Sequence, residues 1–279
     1  PAFGICSMYV RTFRSFLFFF LYIYFLFDCL GMRFHVIFFT LQCNESADMH
    51  DLNLIHTDLK PENVLLVSSD YIEAPMRKVD SKKRVSQQEV KITVIFFCCQ
   101  SLRHWECLPR SSAIKLIDFG SSIFDYQHHS SIVSTRHYRA PEVILGLGWT
   151  FPCDLWSVGC ILVELCTGEV LFQTHENMEH LAMMERVLGR IPDHMIRRAN
   201  RGAEKYFKRC RLNWPEGASS RDSIKAVNNL VKLKDVVTRC VQSSRGLLID
   251  LLYGLLRFDP SERLSARRAL EHPFFTSSS

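Results

Sequence analysis

The sequence has no pair of cysteines at the CxxC spacing of structural zinc sites, although it contains 11 cysteines among 279 residues. Their odd number and scatter favour reduced intracellular thiols over a disulfide framework. The formal charge is only +5 and the basic residues are spread along the chain, so the sequence shows no concentrated footprint of nucleic-acid binding. With 47% hydrophobic and 23% charged residues, the composition is that of an ordinary globular protein with a buried core.

Long apolar runs are also lacking, and the nearest approach to one lies near the start of the chain. Residues 1–40 hold 11 of the 21 phenylalanines, yet the uncharged run Ser15–Phe27 has only 13 residues, whereas a spanning helix needs about 20. Arg11 and Arg14 precede this run as in a signal peptide, but no small-residue cleavage site follows promptly. We therefore do not expect membrane insertion. A buried helix, or a stretch never selected as protein, are the alternatives that stay open.

A second unusual segment runs from Ser68 to Pro109. It begins with a polar, basic stretch and contains Val90–Gln100, an apolar and β-branched run that alone predicts a strand. We treat residues 68–109 as an insertion into the surrounding domain, because clear motifs resume directly after it.

The first motif with clear chemistry is Leu54–Leu66, LIHTDLKPENVLL, where a polar loop joins an apolar segment to a short predicted strand. The loop carries Asp58, then Lys60 two residues later and Asn63 five residues later. This pattern closely resembles the catalytic loop of protein kinases. The resemblance implies that Asp58 orients the substrate hydroxyl and accepts its proton. It also implies that Lys60 neutralises the γ-phosphate and that Asn63 is a ligand of Mg²⁺.

Two later motifs have the order and spacing of the same family. Ala113–Gly120 has the pattern of an alternating strand that ends in Asp-Phe-Gly, and the resemblance makes Asp118 the residue that holds Mg²⁺ against the phosphates. Ser134–Glu142 ends in Ala-Pro-Glu 24 residues after Asp118 and resembles the substrate-positioning loop. By the same resemblance, the Thr135 hydroxyl bridges the catalytic aspartate and lysine.

Three further charged residues resemble structural anchors of protein kinases. Glu142 is expected to pair with Arg263, and a buried ion pair costs about 3–5 kcal/mol to break from one side. Replacing Glu142 should therefore unfold the protein as well as inactivate it. Asp154 opens an apolar helix, where a carboxylate is favourable, and the family places it under the catalytic loop.

Glu179–Arg186 reads EHLAMMER, the signature that gives the LAMMER family of dual-specificity kinases its name. Thr57 agrees with the LAMMER pattern, which has threonine at this position. Most other kinases have there an arginine that pairs with a phosphorylated activation loop. Its replacement predicts a kinase that does not wait for this switch. Leu181, Met184 and Leu188 fall at helical spacing, so the signature is also predicted to pack against the core.

The resemblance implies an α+β, mainly α fold: the large (C-terminal) lobe of a protein-kinase-like fold. We assign residues 1–45 to an anomalous phenylalanine-rich segment, 46–275 to this lobe with its insertion, and 276–279 to a tail. No GxGxxG occurs in the sequence and no lysine precedes Lys60, so the loop and the lysine that grip the α- and β-phosphates are not found. ATP and Mg²⁺ are the implied cofactors, yet we expect no kinase activity from the chain alone.

Three functions remain open. The favoured one is a monomeric nuclear kinase, also compatible with a cytoplasmic pool, that phosphorylates Ser, Thr and Tyr of Ser/Arg-rich splicing factors and does not bind nucleic acid directly. The second is a truncated lobe that acts as a binding module without catalysis. The third is a membrane anchor at residues 15–41, which Asp28 and Arg33 disfavour. Basic residues within Met195–Gly246 predict either a solvated helical face or a docking site.

Overall fold

The computed structural model of the protein describes residues 44–68, 70–75, 105–109, 113–240 and 245–276. The phenylalanine-rich run Ser15–Phe27 and the predicted strand Val90–Gln100 lie outside these residues. The described strands are β1 Leu54–Ile55, β2 Val64–Leu66, β3 Tyr71–Pro75, β4 Trp105–Pro109, β5 Ile114–Leu116, β6 Ile123–Phe124, β7 Phe207–Lys208 and β8 Arg211–Leu212.

Helices dominate the second half of the chain. They are α1 (44–51), α2 Pro141–Leu145, α3 Pro152–Thr167, α4 Asn177–Leu188, α5 Asp193–Arg198, α6 Arg201–Glu204, α7 Arg221–Asn229, α8 Leu233–Cys240, α9 Arg245–Leu255, α10 Ala266–Leu270 and α11 Pro273–Thr276. This helix-rich composition with short strands confirms the predicted α+β, mainly α fold class.

Two short antiparallel ladders fix the polar loop between β1 and β2. Strand β1 pairs with β6, with Leu54 opposite Phe124, and β2 pairs with β5, with Val64 opposite Leu116. Because both strands that flank the loop are paired with strands from one later segment, the loop is held against that segment at both ends.

The two ends of the insertion also pair with each other. Strands β3 and β4 form an antiparallel ladder in which Tyr71 lies opposite Pro109 and Pro75 opposite Trp105. The insertion therefore leaves and re-enters the domain as a hairpin stem.

Helix α3 forms the centre of the helical core. Every residue from Cys153 to Cys166 is buried, as expected for a helix that is apolar around its whole circumference. It packs against α8 and α9. At Gly159 a Cβ atom would lie 2.8 Å from the Leu256 side chain, which would have to shift, so glycine permits close packing here.

The apolar residues of the EHLAMMER signature face the core from helix α4. Leu181 and Met184 are fully buried, and Leu188 is half-buried against the same cluster, as their helical spacing predicts. This part of the signature stabilises the fold by burial.

The charged residues of the signature fasten α4 to its neighbours. Glu179 accepts hydrogen bonds from the hydroxyls of Thr174, at 2.5 Å, and Ser223, at 2.7 Å. Arg186 donates to the backbone carbonyl of Leu230 at 2.9 Å. The motif therefore positions the segments before and after α4.

Two cysteines of the described core, Cys153 and Cys160, are buried free thiols. Burial raises the pKa of Cys153 and of Cys160, so both stay protonated and unreactive. Across the described ranges, no helix combines the length and apolar character needed to cross a bilayer.

Candidate active site

Asp58, Lys60 and Thr135 form one hydrogen-bonded cluster beside β1. The Lys60 Nζ atom lies 2.6 Å from Asp58 Oδ2 and 3.4 Å from Thr135 Oγ1. The backbone N–H and the hydroxyl of Thr135 both donate to Asp58 Oδ1, at 2.8 and 2.7 Å. The threonine hydroxyl therefore lies between the carboxylate and the ammonium group, although its position in the sequence is far from theirs.

The Asp58 carboxylate is held in its ionised form. Burial alone would raise its pKa, but hydrogen bonds from Lys60 and Thr135 outweigh burial and lower the pKa below its ordinary value. About a fifth of the Asp58 and Lys60 side chains remains exposed, at 20% and 22%. An ionised carboxylate that solvent reaches is able to accept a hydrogen bond from an incoming hydroxyl.

Asn63 and Asp118 are brought together by the β2–β5 ladder. The Ile117 backbone N–H donates to the Asn63 carbonyl at 3.0 Å, which places Asp118 next along the chain. The Asn63 amide nitrogen donates to the Asp58 carbonyl at 2.9 Å, leaving its side-chain oxygen free of this bond. Asp118 is exposed. The site thus presents one carboxylate and one amide oxygen.

These two oxygens fit a magnesium ion. Mg²⁺ prefers oxygen donors and commonly takes one or two protein ligands, with phosphate and water completing its shell. Within the described residues no group of three His, Cys, Asp or Glu side chains comes together. Asn63 and Asp118 would therefore hold the ion jointly with the phosphates of a nucleotide.

Three residues other than glycine adopt positive φ around the cluster: Thr57 at 68°, Asp118 at 66° and Ser134 at 67°. Such conformations cost about 1–3 kcal/mol each and are typical of functional sites. Thr57 is β-branched, which makes its conformation the least expected of the three. Its buried hydroxyl donates to the Ser121 carbonyl at 2.9 Å and so fastens the loop to the segment after Asp118.

His56 links the two halves of the site and was not identified from the sequence. Its Nε2 atom lies 3.1 Å from the Ile117 carbonyl, and the Asp58 backbone N–H lies 3.3 Å from its Nδ1 atom. A neutral ring with its hydrogen on Nε2 satisfies both contacts. Its ring also packs against Phe119, with ring centroids 5.1 Å apart.

Asp154 supports the loop from below, where the resemblance placed it. Its carboxylate accepts the backbone N–H groups of His56 and Thr57 at 2.8 and 2.9 Å, and it is 1% exposed. His50 adds a third contact, with Nε2 at 3.2 Å. His50 was also not identified, because nothing local in the sequence connects it with a residue 104 positions away.

Arg263 makes a saturated, buried ion pair with Glu142. Its two terminal nitrogens lie 2.7 and 2.8 Å from the two Glu142 oxygens. The guanidinium also donates to the carbonyls of Pro152, Arg257 and Phe258. All five of its N–H donors are therefore used, which is the condition under which a buried charge is tolerated.

The comparisons with known proteins agree with this geometry. The family model described as "Protein kinase domain" matches residues 46–275. The chain belongs to the protein kinase family. Its Asp58 loop, its Asp118 turn and the segment that ends at Glu142 all lie inside the matched region.

The curated relatives narrow the family. The kinase chain is 62% identical over 234 residues to the serine/threonine-protein kinase AFC3 of Arabidopsis thaliana, covering 84% of this chain and 54% of AFC3. It is 45% identical over 233 residues to the human dual specificity protein kinase CLK2, covering 84% of this chain and 41% of CLK2. These similarities confirm the LAMMER assignment. The chain spans about half the length of the curated relatives it matches.

A solved structure supports the fold independently. The crystal structure of a kinase domain superimposes with a TM-score of 0.72 and 37% sequence identity, covering 88% of this chain and 67% of the other. The protein-kinase-like fold predicted from the motifs is therefore confirmed.

A further acidic pair in the kinase was not predicted as a site. Glu164 accepts the Tyr138 hydroxyl at 2.6 Å, and its pKa is raised to about 7 by burial and, to a smaller degree, by the charge of nearby Glu62. The Oε2 atom of Glu62 is buried and has no hydrogen-bond partner among the described residues. Glu62 stands inside the catalytic-loop motif, but Glu164 is 102 positions away in sequence, so the sequence carried no signal for the pair.

Proposed function

We propose that this lobe carries the phosphate-transferring residues of a LAMMER kinase that phosphorylates Ser, Thr and Tyr hydroxyls of proteins with ATP. The cluster of Asp58, Lys60 and Thr135 is the observation that carries the proposal. It combines an ionised, partly exposed carboxylate with a positive charge 2.6 Å away. Phosphoryl transfer depends mainly on such positioning and charge neutralisation.

The proposed mechanism assigns one step to each side chain. ATP, bound as its magnesium complex, supplies the γ-phosphoryl group and the ADP leaving group. Asp58 orients the substrate hydroxyl and takes its proton as the new oxygen–phosphorus bond forms and the bond to ADP breaks. Lys60 offsets the negative charge of the transferred group. Asn63 and Asp118 would hold Mg²⁺ on the phosphates.

We propose arginine/serine-rich proteins, splicing factors in particular, as the substrates. The support is the acidic pair of Glu62, inside the catalytic-loop motif, and Glu164; one Glu62 oxygen is buried and has no hydrogen-bond partner among the residues that the structure describes. A guanidinium bound there would relieve the repulsion between the carboxylates and satisfy that oxygen. An arginine near the phosphorylated serine is the peptide feature that fits.

The substrate proposal is tested with a chimera that joins the small lobe of AFC3 to residues 44–279 of this chain. The KM values of two peptides, one with arginine and one with alanine beside the target serine, are measured for the chimera and for its Glu62→Gln variant. We expect the KM for the arginine peptide to rise about tenfold, because one charge-assisted bond is lost, and that for the alanine peptide to stay unchanged. Glu204→Gln, at an exposed glutamate on α6, is the control. Equal effects on both peptides would contradict the proposal.

For the 279-residue chain alone we propose no measurable kinase activity. The support is that the sequence holds no GxGxxG and no lysine before Lys60, so no group is identified that grips the α- and β-phosphates. The lobe would then act as a non-catalytic binding module. Phosphate transfer to a Ser/Arg-rich peptide by the purified chain, abolished by Asp58→Asn, would overturn this.

We further propose a nuclear location and a monomeric state. Both follow from the proposed splicing-factor substrates, which act in the nucleus and do not require a second kinase copy. Microscopy of a tagged chain tests the first, and light scattering during size-exclusion chromatography tests the second. A solely cytoplasmic signal or a dimer mass would contradict them.

A further inference from the structure

The segment from Arg190 to Arg211, called here the basic surface, accounts for the net positive charge of the chain. It contains eight Lys or Arg residues and two acidic residues, an excess of six positive charges in a chain whose total is +5. The remainder of the chain is therefore close to neutral. Its exposed basic residues include Arg197, Arg198, Arg201, Lys205, Lys208 and Arg211.

Little of this charge is neutralised within the part of the chain that the structure describes. Arg190 pairs with Asp193 at 2.7 Å, and both side chains are about half exposed. The Lys205 ammonium lies over the Tyr206 ring, 5.3 Å from its centroid. The other basic side chains of the surface have no carboxylate partner among the described residues, so their charge is available to an anionic ligand.

A strained hairpin presents part of this charge. Strands β7 and β8 are joined by Arg209 and Cys210, which both have positive φ, at 51° and 57°. Such two-residue turns usually contain Asn and Gly, and other residues pay a conformational cost there. The turn is secured by Arg190, which donates to the Cys210 carbonyl at 3.0 Å. The hairpin thus brings three exposed cations, Lys208, Arg209 and Arg211, within four residues of one turn.

The base of the hairpin is connected to the substrate-positioning loop. Arg136, the residue after Thr135, donates to the Asn177 side chain at 2.6 Å, and Asn177 donates to the Tyr206 hydroxyl at 3.3 Å. Tyr206 directly precedes β7, and its carbonyl accepts the Asn213 N–H at 2.8 Å. A peptide chain that leaves the active site over this loop would meet the basic surface.

We propose that the basic surface binds the phosphoserine-rich part of a substrate that has already been phosphorylated, while a further serine occupies the active site. This proposal rests on the proposed function, which generates such segments. Phosphoserine carries nearly two negative charges at neutral pH, and the planar guanidinium of arginine binds phosphate through paired hydrogen bonds. Phosphates added in one round of transfer thereby increase the affinity of the same substrate for the kinase in the next round.

A nucleic acid is the other polyanion that could reach this surface, but the structure favours the phosphopeptide. Binding of single strands usually relies on open aromatic faces on which bases stack. The nearby rings of Tyr206, Phe207 and Trp214 are half-buried and packed against the core. The surface therefore offers charge without an open stacking platform.

The test is fluorescence anisotropy of the 279-residue chain with an arginine/serine-repeat peptide, fully phosphorylated or unphosphorylated. Lys208→Glu/Arg211→Glu should weaken binding of the phosphorylated peptide about tenfold, because two exposed ion contacts become repulsive. The matched control Arg221→Glu/Lys234→Glu makes the same charge change on α7 and α8. It should change the affinity for the phosphorylated peptide less than about twofold, because salt screens exposed charges that are not in contact with the peptide.

Three outcomes would overturn the proposal. The first is that the Lys208→Glu/Arg211→Glu variant binds the phosphorylated peptide as tightly as the wild type does. The second is that the unphosphorylated peptide binds as tightly as the phosphorylated one. The third is that a polyuridine RNA binds more tightly than the phosphorylated peptide and loses this affinity in the same variant. Asp58→Asn should leave phosphopeptide binding unchanged. The kinase assay of the chimera and this binding assay therefore fail independently.

Discussion

The catalytic cluster and the Glu142–Arg263 pair are both ion pairs with short contacts, yet they are built differently. The side chains of Asp58 and Lys60 are about one fifth exposed, whereas those of Glu142 and Arg263 are completely buried. Every donor of Arg263 is used, while the Asp58–Lys60 pair is left open on the side that solvent reaches. The charges to which we assign the chemistry are accessible, whereas the charges that hold the fold are enclosed and saturated.

The largest loss of stability is expected where the enclosed pair is broken. Glu142→Gln leaves the Arg263 charge buried without a counter-ion, which should lower the free energy of unfolding by about 3–5 kcal/mol. Urea denaturation of the 279-residue chain measures it, with Glu169→Gln at an exposed position as the control. A loss no larger than that of the control would show that the buried Glu142–Arg263 pair does not stabilise the fold.

Glu164 should give the next largest effect, and it depends on pH. Its pKa rises from an ordinary 4.5 to about 7 in the folded protein, so between these pH values the folded state binds more protons than the unfolded chain. Its contribution to stability is complete below pH 4.5 and is lost as the pH rises through 7, a change of about 3 kcal/mol.

Glu164→Gln keeps an acceptor for the Tyr138 hydroxyl and removes the titrating group. Denaturation at a series of pH values should therefore show a flatter profile for the variant between pH 4.5 and 7. Parallel profiles for the wild type and the variant would refute the raised pKa.

Asp154 combines features of both regions, because it is buried but supports the catalytic loop. Asp154→Asn removes one of the two oxygens that accept backbone N–H groups of His56 and Thr57. We expect a loss of about 2 kcal/mol in the free energy of unfolding, since a hydrogen bond to a buried charged acceptor is lost. Hydrogen exchange of the two amides should speed up in the variant. Unchanged exchange would mean that the loop does not depend on this anchor.

The sequence pointed to the proposed catalytic residues more readily than to their surroundings. Asp58, Lys60 and Asn63 share one short loop, and the resemblance of this loop to the catalytic loop of protein kinases singled them out. The acidic pair of Glu62 and Glu164 depends on a contact between distant parts of the chain, which no local pattern encodes.

The fold shows the same division between local and distant information. Helix α3 was predictable from its strongly apolar sequence, and β5 from its alternation. The strained backbone of Thr57 was not predictable, because the sequence showed only that an arginine is absent there. Its hydroxyl bond to Ser121 depends on how the loop and the following segment meet. The even spread of basic residues expected from the total of +5 was wrong for the basic surface, although the basic residues within Met195–Gly246 had already suggested a solvated face or a docking site.

The smallest expected change is also the most direct test of the difference between the two regions. Asp58→Asn removes a partly exposed ion pair and leaves Lys60 accessible to water, so the free energy of unfolding should fall by about 1 kcal/mol or less. Urea denaturation of this variant beside Glu142→Gln measures it. A small loss for Asp58→Asn next to a large one for Glu142→Gln is the predicted result. Equal losses would contradict the proposal that the Asp58–Lys60 pair, unlike the Glu142–Arg263 pair, contributes little to the stability of the fold.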